Sequence, residues 1–570
     1  MFFSIKDLLI VFIFLLFFEI LINPVGEFPL GDDWSYSKRV FNLVEMGTIE
    51  SPHWGGSLFI TQLFWGAAFC KVFGFSFTIL RISEIISLFF CVVVFYAVII
   101  RITKSRRSTF FATLIFALNP IIIYQSNTFQ PDIPYTLLVI LSVFFFLEYI
   151  TENRLRVYFL GLTFAFLATL LKETGISIVL AFALCFFLFN EAKSRSVIAR
   201  TFPIVLLFFV FVPLIINNVI DGGDNIQMQI FINSVLNLEF ETLRRFVFYA
   251  INTSLSLGLF LSPIAIPAAI SVSRVVASKR HLKFLTLILM IYVVLILLKT
   301  HLRSQTGLQG GGIEYLPFSG NSIYDLGMGP IVMTGILQND ILEFPKLGKY
   351  LWLSISLIGA TGFISFLYLF ILMIKEHLDV KGDKTDYTVI AGIFSVIISV
   401  VYLFPILFVY ANSKYLTAVI PFGFIATISS IEFLGEKYGI SNLTNYNVAI
   451  VLALPLILFG VLATHDYLSF NRTKWEALNY LTDTEKISVE KIDGGFEFNE
   501  WHLSHLYTWN MTNDPNKKGR FWPVVDDEYI VTVIEIEGYN VYKEYKYKKW
   551  LPPGKYSIYI LKRKTEQKSL

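Results

Sequence analysis

Residues 7–40 read DLLIVFIFLLFFEILINPVGEFPLGDDWSYSKRV, an apolar run that leads within a few residues into two adjacent aspartates, Asp32 and Asp33. The apolar part, residues 7–23, is long enough to span about 30 Å of hydrocarbon and has no small-residue cleavage site after its core. It therefore predicts a retained membrane helix rather than a signal peptide. The paired carboxylates would then lie where the chain leaves the membrane.

The composition of the whole chain is that of an integral membrane protein. The 570 residues are 55% hydrophobic and 16% charged, with 57 Phe, and the mean hydropathy is +0.64. The formal net charge is +3 and no basic block indicates nucleic-acid binding. Three cysteines, Cys70, Cys91 and Cys185, lie in or beside apolar segments without paired spacing, so we expect neither a disulfide framework nor a zinc site.

Apolar runs of similar length recur along the chain, and with the first run they predict about thirteen transmembrane helices. The other twelve runs are 77–100, 109–124, 133–150, 157–171, 175–189, 202–220, 246–270, 284–298, 351–374, 387–410, 415–434 and 448–464. Alternate connecting loops are basic, such as RITKSRR (101–107) and EAKSRSVIAR (191–200), whereas YQSNTFQPD (124–132) has no Lys or Arg. The positive-inside rule then places the aspartate pair and the C-terminal tail on the outer face of the cytoplasmic membrane.

The sequence predicts two domains. Residues 1–464 form the transmembrane part, with long outer loops at 24–76 and 299–350, and residues 465–570 form a small extracytoplasmic α/β domain. In this tail TKWEALNYLTD (473–483) has helical spacing, whereas 528–550 and 554–564 alternate like strands. The predicted fold class is therefore an α-helical polytopic membrane protein with a small C-terminal α/β domain.

Ionisable side chains at the edges of membrane helices are costly and are therefore candidates for a functional site. Those expected near the outer surface are Asp32, Asp33, His53, Arg81, Asp132, Lys172, Glu173 and Lys414. Singly, each has an ordinary explanation: a solvated turn for the aspartate pair, a helix N-terminus for Asp132, a local pair for Lys172 and Glu173, snorkelling for Arg81. Together, carboxylates and cations at one membrane level suit deprotonation of a hydroxyl and departure of a phosphate.

Four motifs resemble those of the GT-C membrane glycosyltransferases, in particular the protein O-mannosyltransferase and lipid A aminoarabinose transferase group (glycosyltransferase family 39 and its bacterial relatives). DDWSY (32–36) resembles the Asp-(Glu/Asp)-x-x-Tyr signature of the first outer loop, and QPDIPY (130–135) the aspartate before a later span. LLKETGI (170–176) is similar to a lysine-centred turn, and ANSKYLTAVIPF (411–422) to an Asp-Arg-Tyr-Leu-x-x-x-x-Pro segment. Ser413 and Lys414 depart from the Asp-Arg of that segment, SPHWGG (51–56) stands where related transferases have Lys-Pro-Pro, and the Trp-Trp-Asp-Tyr-Gly motif of oligosaccharyltransferases is absent.

The resemblance implies an inverting transferase that moves a sugar from a polyprenyl-phosphate donor to a lipid, glycan or protein acceptor at the bilayer surface. Asp32 is the expected general base, Asp33 and Asp132 would orient the acceptor or hold a cation, and Lys172, with Arg81 next, would neutralise the lipid phosphate. The other substrate-binding residues are Tyr36, His53, Glu173 and Lys414, and Trp34, Tyr36 or Trp54 would stack on the sugar. No cofactor is required and no metal-ligand set is expected, although a divalent cation would be compatible.

Two other functions fit part of the pattern. A transporter or flippase of lipid-linked glycans would have charged residues at the bilayer midplane and discontinuous helices there, whereas the candidates cluster at one surface. A non-catalytic scaffold with the same fold would keep its function after replacement of Asp32 and Asp33.

Overall fold

The computed structural model describes residues 4–49, 54, 58–189, 202–203, 205–215, 226–237, 239–276, 286–287, 289–295, 297, 322–331, 347–379, 386–439, 446–506, 520 and 522–564. The helices of the N-terminal half are α1 (Ile5–Ile22), α2 (Asp33–Phe41), α3 (Ile60–Phe73), α4 (Phe77–Thr103), α5 (Arg106–Ala117), α6 (Pro120–Ser126), α7 (Asp132–Glu152), α8 (Leu155–Leu171) and α9 (Ile176–Phe189). They are followed by α10 (Val205–Ile215), α11 (Ile226–Leu236), α12 (Phe240–Val275), α13 (Lys349–Asp379), α14 (Tyr387–Val409), α15 (Ile420–Tyr438), α16 (Tyr446–Asn479) and α17 (Phe496–Leu503).

Six of the described helices are long and apolar enough to cross a membrane: α4, α7, α12, α13, α14 and α16. The count is seven if the bent pair α5–α6 is one span. The chain is thus a multi-pass helical membrane protein, as the sequence predicted. The number thirteen stays a prediction, because the runs at 202–220 and 284–298 are only partly within the described residues.

The predicted span at 109–124 is broken into two helices, α5 and α6, which are bent by 59° relative to each other. Pro120 begins α6, has no backbone N–H and disfavours helical geometry at the residue before it. The side chain of that residue, Asn119, accepts a hydrogen bond from the backbone N–H of Ile121 at 3.0 Å and caps the new helix. The break lets α6 lead into the loop before α7, the helix that begins at Asp132.

Helices α12 and α13 pack with their backbones in contact. A Cβ atom placed on Gly258 would lie 2.1 Å from the carbonyl oxygen of Gly359, and one on Gly362 would lie 2.1 Å from that of Gly258. Small residues at such positions let membrane helices approach closely when lipid provides no hydrophobic driving force between them. This pair forms the largest helix–helix contact of the described chain.

The C-terminal region contains a four-stranded sheet in the order β3-β4-β6-β5, as the alternating pattern predicted. The strands are β3 (Ile492–Asp493), β4 (Tyr529–Thr532), β5 (Tyr539–Trp550) and β6 (Pro553–Arg563), after a small hairpin of β1 (Ile323–Tyr324) and β2 (Gly327–Met328) in the second long loop. Strand β3 runs parallel to β4, and the other pairs are antiparallel. The predicted domain boundary at 464/465 falls inside α16, which continues unbroken from the apolar segment into the tail, and the division into two domains stays a prediction.

The C-terminal region packs directly on the loop that carries the aspartate pair. Lys474 of α16 and Glu497 of α17 form an ion pair of 2.7 Å, with side chains 1% and 2% exposed. The other oxygen of Glu497 accepts a hydrogen bond from the backbone N–H of Gly31 at 3.3 Å. Lys38 of α2 donates to the carbonyl oxygen of Trp501 at 2.7 Å. These contacts fix the position of Asp32 and Asp33 from the side of the tail.

Candidate active site

Asp33 holds together the loop before α2 and the loop before α7. Gly31 has a φ of +56°, a left-handed backbone that turns the chain into α2. One Asp33 carboxylate oxygen accepts the N–H of Leu30, and the other accepts the N–H of Phe129, in the loop before α7, at 3.1 Å. Burial raises the pKa of Asp33 to about 7, although nearby Arg81 and the two N–H groups favour its ionised form. Asp33 therefore has the contacts of a loop clamp, and its predicted catalytic role stays a prediction.

Asp32, one residue earlier, is more accessible and lies in an ion pair. Its Oδ2 atom is 2.9 Å from Nζ of Lys414, and the side chains are 33% and 19% exposed for Asp32 and Lys414. Oδ1 accepts a hydrogen bond from Nε1 of Trp54 at 3.0 Å. Burial opposes ionisation of Asp32, but the Lys414 ammonium and these hydrogen bonds outweigh it and lower the pKa of Asp32. Asp32 is thus a carboxylate held in its basic form.

A second ion pair joins Asp132 and Lys172. The Nζ atom of Lys172 lies 2.7 Å from Oδ1 of Asp132, with side chains 9% and 3% exposed. The sequence left open a pair between Lys172 and its neighbour Glu173, but Lys172 is paired with Asp132 from a different helix. Burial lowers the pKa of Lys172, and the Asp132 carboxylate opposes this effect.

One aromatic ring, that of Tyr415, lies near both lysines. Nζ of Lys172 is 5.7 Å from the ring centroid of Tyr415, and Nζ of Lys414 is 5.9 Å from it. Both cations are therefore within the range of a cation–π interaction with the same ring. The two ion pairs form a single site, which we call the paired-lysine site (Asp32, Lys414, Tyr415, Asp132 and Lys172).

Local turns aim both lysines into this site. Lys172 ends α8 in an extended conformation, and the following turn packs tightly because a Cβ on Gly175 would lie 2.5 Å from the backbone nitrogen of Thr169. Lys414 lies in a 3₁₀ turn whose preceding residue, Asn412, accepts the backbone N–H of Lys414 at 3.1 Å. The departure from Asp-Arg to Ser413 and Lys414 therefore keeps a cation that reaches Asp32.

Arg81 is a buried part of the loop structure. Its guanidinium donates to the carbonyl oxygens of Pro24 at 2.7 Å and Gly26 at 2.8 Å, and to that of Phe28. It also lies 4.4 Å from the ring centroid of Phe28. These bonds fix the loop between α1 and α2 against α4. The predicted phosphate contact of Arg81 stays a prediction, but the observed contacts account for this residue by themselves.

The remaining predicted residues are placed as follows. Tyr36 is buried and stacks on Phe59 with ring centroids 4.7 Å apart, so one face of its ring is covered. Trp34 is buried against the edge of Phe496, which leaves Trp54 as the aromatic residue bonded to Asp32. Glu173 is half-buried in a short 3₁₀ turn next to Lys172. His53 lies outside the described residues.

Sequence reasoning missed a buried polar pair between α3 and α4. Nε2 of Gln62 donates to Oε1 of Glu84 at 2.7 Å and contacts the carbonyl oxygen of Gln130 at 3.3 Å. The signal was present, because Glu84 is an ionisable residue within the apolar run at 77–100. Tyr415 was also missed as a site residue, although it follows Lys414 directly.

Comparisons with known proteins support the motif-based resemblance. The family model of the dolichyl-phosphate-mannose-protein mannosyltransferases matches residues 62–219, a segment that includes Asp132 and Lys172. An uncharacterised protein of Aquifex aeolicus is 24% identical over 178 residues, which are 30% of this chain and 36% of that protein. The chain thus covers only about a third of the length of this relative.

Two solved structures align with most of this chain at low sequence identity and low TM-score. The archaeal oligosaccharyltransferase AglB from Archaeoglobus fulgidus, solved with an inhibitory peptide and a dolichol-phosphate, is 13% identical with a TM-score of 0.40, over 85% of this chain and 59% of that one. ArnT from Cupriavidus metallidurans, solved with undecaprenyl phosphate, is 12% identical with a TM-score of 0.40, over 97% of both chains. The family match is what supports a glycosyltransferase of the GT-C superfamily.

Proposed function

We propose that this protein transfers one sugar from a polyprenyl-phosphate donor to an acceptor hydroxyl, with inversion at the anomeric carbon, on the outer face of the cytoplasmic membrane. The observation that carries the proposal is the paired-lysine site: two ion pairs, Asp32–Lys414 at 2.9 Å and Asp132–Lys172 at 2.7 Å, share the Tyr415 ring. It combines one accessible carboxylate with two ammonium groups, the groups that acceptor activation and phosphate departure need.

In the proposed step Asp32 accepts the proton of the acceptor hydroxyl. The hydroxyl oxygen forms a bond to the anomeric carbon as the bond from that carbon to the phosphate oxygen breaks, and the polyprenyl phosphate leaves with the bonding electrons. A single displacement inverts the configuration. Lys414 and Lys172 stabilise the charge on the leaving phosphate through charge-assisted hydrogen bonds. Positioning both substrates at one site supplies much of the acceleration.

The Asp32–Lys414 pair also connects donor binding with base strength. A phosphate that approaches Lys414 competes with Asp32 for the same ammonium. Because Lys414 is the main group that lowers the pKa of Asp32, withdrawal of its charge toward the phosphate makes Asp32 a stronger base. The carboxylate then becomes most reactive when the donor is bound.

The surroundings of Lys172 suit a lipid-linked donor. A crevice between α7, α9, α14 and α15, too narrow to admit a water molecule, is lined mainly by apolar groups and includes the rings of Tyr135 and Tyr402. Tyr135 lies on α7 one turn after Asp132, and its ring centroid is 5.5 Å from Nζ of Lys172. The first isoprene units would enter along this seam once the helices that line it move apart, with the phosphate at the lysines.

Lysine side chains neutralise the phosphate in this proposal, so a divalent cation is not required. In the described part of the chain no group of three or more His, Cys, Asp or Glu residues is arranged to hold a metal ion. The proposal defines the acceptor by its chemistry, as any molecule with a hydroxyl group that reaches Asp32 from the outer surface.

The test is sugar transfer in membranes. Membranes that contain the wild-type chain are incubated with radiolabelled polyprenyl-phosphate sugars and a membrane and protein extract, beside membranes with Asp32→Asn or with the matched surface change Asp483→Asn. We expect transfer by wild type and Asp483→Asn and a loss of at least 100-fold in Asp32→Asn at equal insertion. Full transfer by Asp32→Asn would disprove the base assignment, and no transfer by any chain from any donor would disprove the proposed activity.

A further inference from the structure

The tip of the β5–β6 hairpin lies at the level of a membrane surface. Tyr446, the first residue of α16, lies on the side of the predicted basic loops, because its ring centroid is 4.6 Å from the guanidinium of Arg107 in the loop 101–107. From Tyr446 to Asp466 the helix rises about 30 Å at 1.5 Å per residue, which is about the thickness of the hydrocarbon core. Asp466 therefore lies where α16 reaches the opposite surface.

Asp466 and its neighbour hold the hairpin tip at this level. The two carboxylate oxygens of Asp466 accept the backbone N–H groups of Trp550 and Leu551, both at 2.8 Å. The ring of His465 stacks on the Trp550 ring with centroids 3.5 Å apart. The tip cannot move away from the surface without loss of these contacts.

The face of the hairpin that points away from α16 carries lysines, and a partly exposed tryptophan lies at the tip. Along β5 the half-buried residues Tyr545 and Tyr547 lie against Tyr480 and Phe470, and Lys546 and Lys548 alternate with them on the exposed side. Trp550 ends the strand, with one face of its ring on His465 of α16. The side chain of Lys546 is 67% exposed, and Trp550 is 38% exposed. Trp at the membrane interface with lysines just above it is the arrangement that membrane-surface anchors use.

The lysines on this face exceed the acidic groups beside them. Lys548 lies directly opposite Lys555 of β6 in the antiparallel register, and like charges in such a position repel each other. Lys546 has Glu544 as a partner at 3.8 Å. Neither Lys548 nor Lys555 has an ion-pair partner among the residues that the structure describes.

From this geometry we infer that the hairpin tip, formed by Lys548, Trp550 and Lys555, is a docking surface for the headgroups of anionic phospholipids. Phosphodiester headgroups next to the tip would neutralise the opposed lysines, while the Trp550 ring lies at the headgroup level. Such docking would hold the C-terminal region against the bilayer. Because Glu497 of the Lys474–Glu497 pair also binds Gly31, the docking would keep this region over the loop that carries Asp32 and Asp33. The inference does not depend on the proposed transferase activity.

The test uses the full chain reconstituted in bilayers of phosphatidylcholine with phosphatidylglycerol. Electron spin resonance measures how much spin-labelled phosphatidylglycerol associates with the protein relative to spin-labelled phosphatidylcholine. Wild type is compared with Lys548→Gln/Lys555→Gln and with Lys562→Gln/Lys564→Gln, which removes the same charge at the far end of the hairpin. We expect the tip variant to lose up to about fivefold in preference for the anionic lipid for each lysine, with the loss masked at high salt.

The control variant is expected to keep the wild-type preference, and both variants to keep the wild-type thermal unfolding temperature. An equal loss in both variants would overturn the inference, because only total charge would then matter. So would a wild-type chain without any preference for the anionic lipid. Binding of a soluble polyanion such as polyphosphate through Lys548 and Lys555, without lipid preference, would likewise overturn it and indicate an acidic polymer as the partner.

Discussion

The two ion pairs of the paired-lysine site differ in burial, and this difference predicts how their variants change stability. Lys172→Gln leaves the Asp132 carboxylate, 3% exposed, without its cation. Breaking one side of a buried pair costs about 3–5 kcal/mol, because an uncompensated charge stays in the interior. The equivalent change at Lys414 removes the cation beside Asp32, whose side chain is already 33% exposed. Because water solvates the remaining charge there, the expected cost is about 1 kcal/mol or less.

The double variant Asp132→Asn/Lys172→Gln separates stability from function. It removes both charges and keeps two side chains that form hydrogen bonds, so we expect its stability to return to within about 1–2 kcal/mol of wild type. Transfer stays strongly reduced, since Lys414 is then the one remaining ammonium of the paired-lysine site that can face the phosphate. The free energy of unfolding is measured by denaturant titration in mixed micelles for both single variants, the double variant and Lys414→Gln. The reasoning is refuted if Lys172→Gln costs no more than Lys414→Gln, or if the double variant is as unstable as the sum of the single variants.

Four further predictions follow from other contacts. Lys414→Gln removes the cation that lowers the pKa of Asp32, so this pKa rises. The base is then protonated at a higher pH, and the acidic limb of the pH–rate profile moves to higher pH. An unmoved limb would exclude Asp32 as the titrating group. Gly258→Ala places a Cβ 2.1 Å from the Gly359 carbonyl oxygen and lowers stability by about 1–3 kcal/mol, whereas Gly348→Ala, with open space around the new Cβ, leaves the unfolding temperature unchanged. Arg81→Lys breaks part of the contact with three carbonyl oxygens and lowers stability by about 1.5–3 kcal/mol per lost bond; an unchanged stability with a raised KM for the donor would instead indicate a phosphate contact. Treatment with EDTA leaves transfer unchanged, since lysines neutralise the leaving group, and a loss restored by added Mg²⁺ or Mn²⁺ would show that a cation is needed.

The regular elements could be predicted because their signals are local. Hydropathy over about 20 residues located α4, α7 and α14, and strict alternation located β5 and β6. The bend between α5 and α6 also has a signal in the sequence, the pair Asn119-Pro120. The apolar run 109–124 continues across this pair, and it therefore predicted one span. Periodicity carries no information about such a change of direction, whereas a proline and a capping side chain do.

The site could be predicted only in part, because its contacts join distant residues. Asp32 and Lys414 are 382 positions apart, and only the membrane topology and the resemblance placed both on one surface. The partner of Lys172 was not readable, since adjacent Glu173 offered a simpler pair than Asp132, 40 positions away. Likewise, the composition alone could not distinguish Trp34, buried by the C-terminal region, from Trp54, which reaches Asp32.

A structure of the full chain with bound polyprenyl phosphate would test the paired-lysine site as the donor site. We predict the phosphate within hydrogen-bond distance of Nζ of Lys414 and Lys172, with the Asp32 carboxylate released from Lys414 and facing the outer surface. A phosphate bound elsewhere, with both ion pairs still closed, would contradict the proposed mechanism.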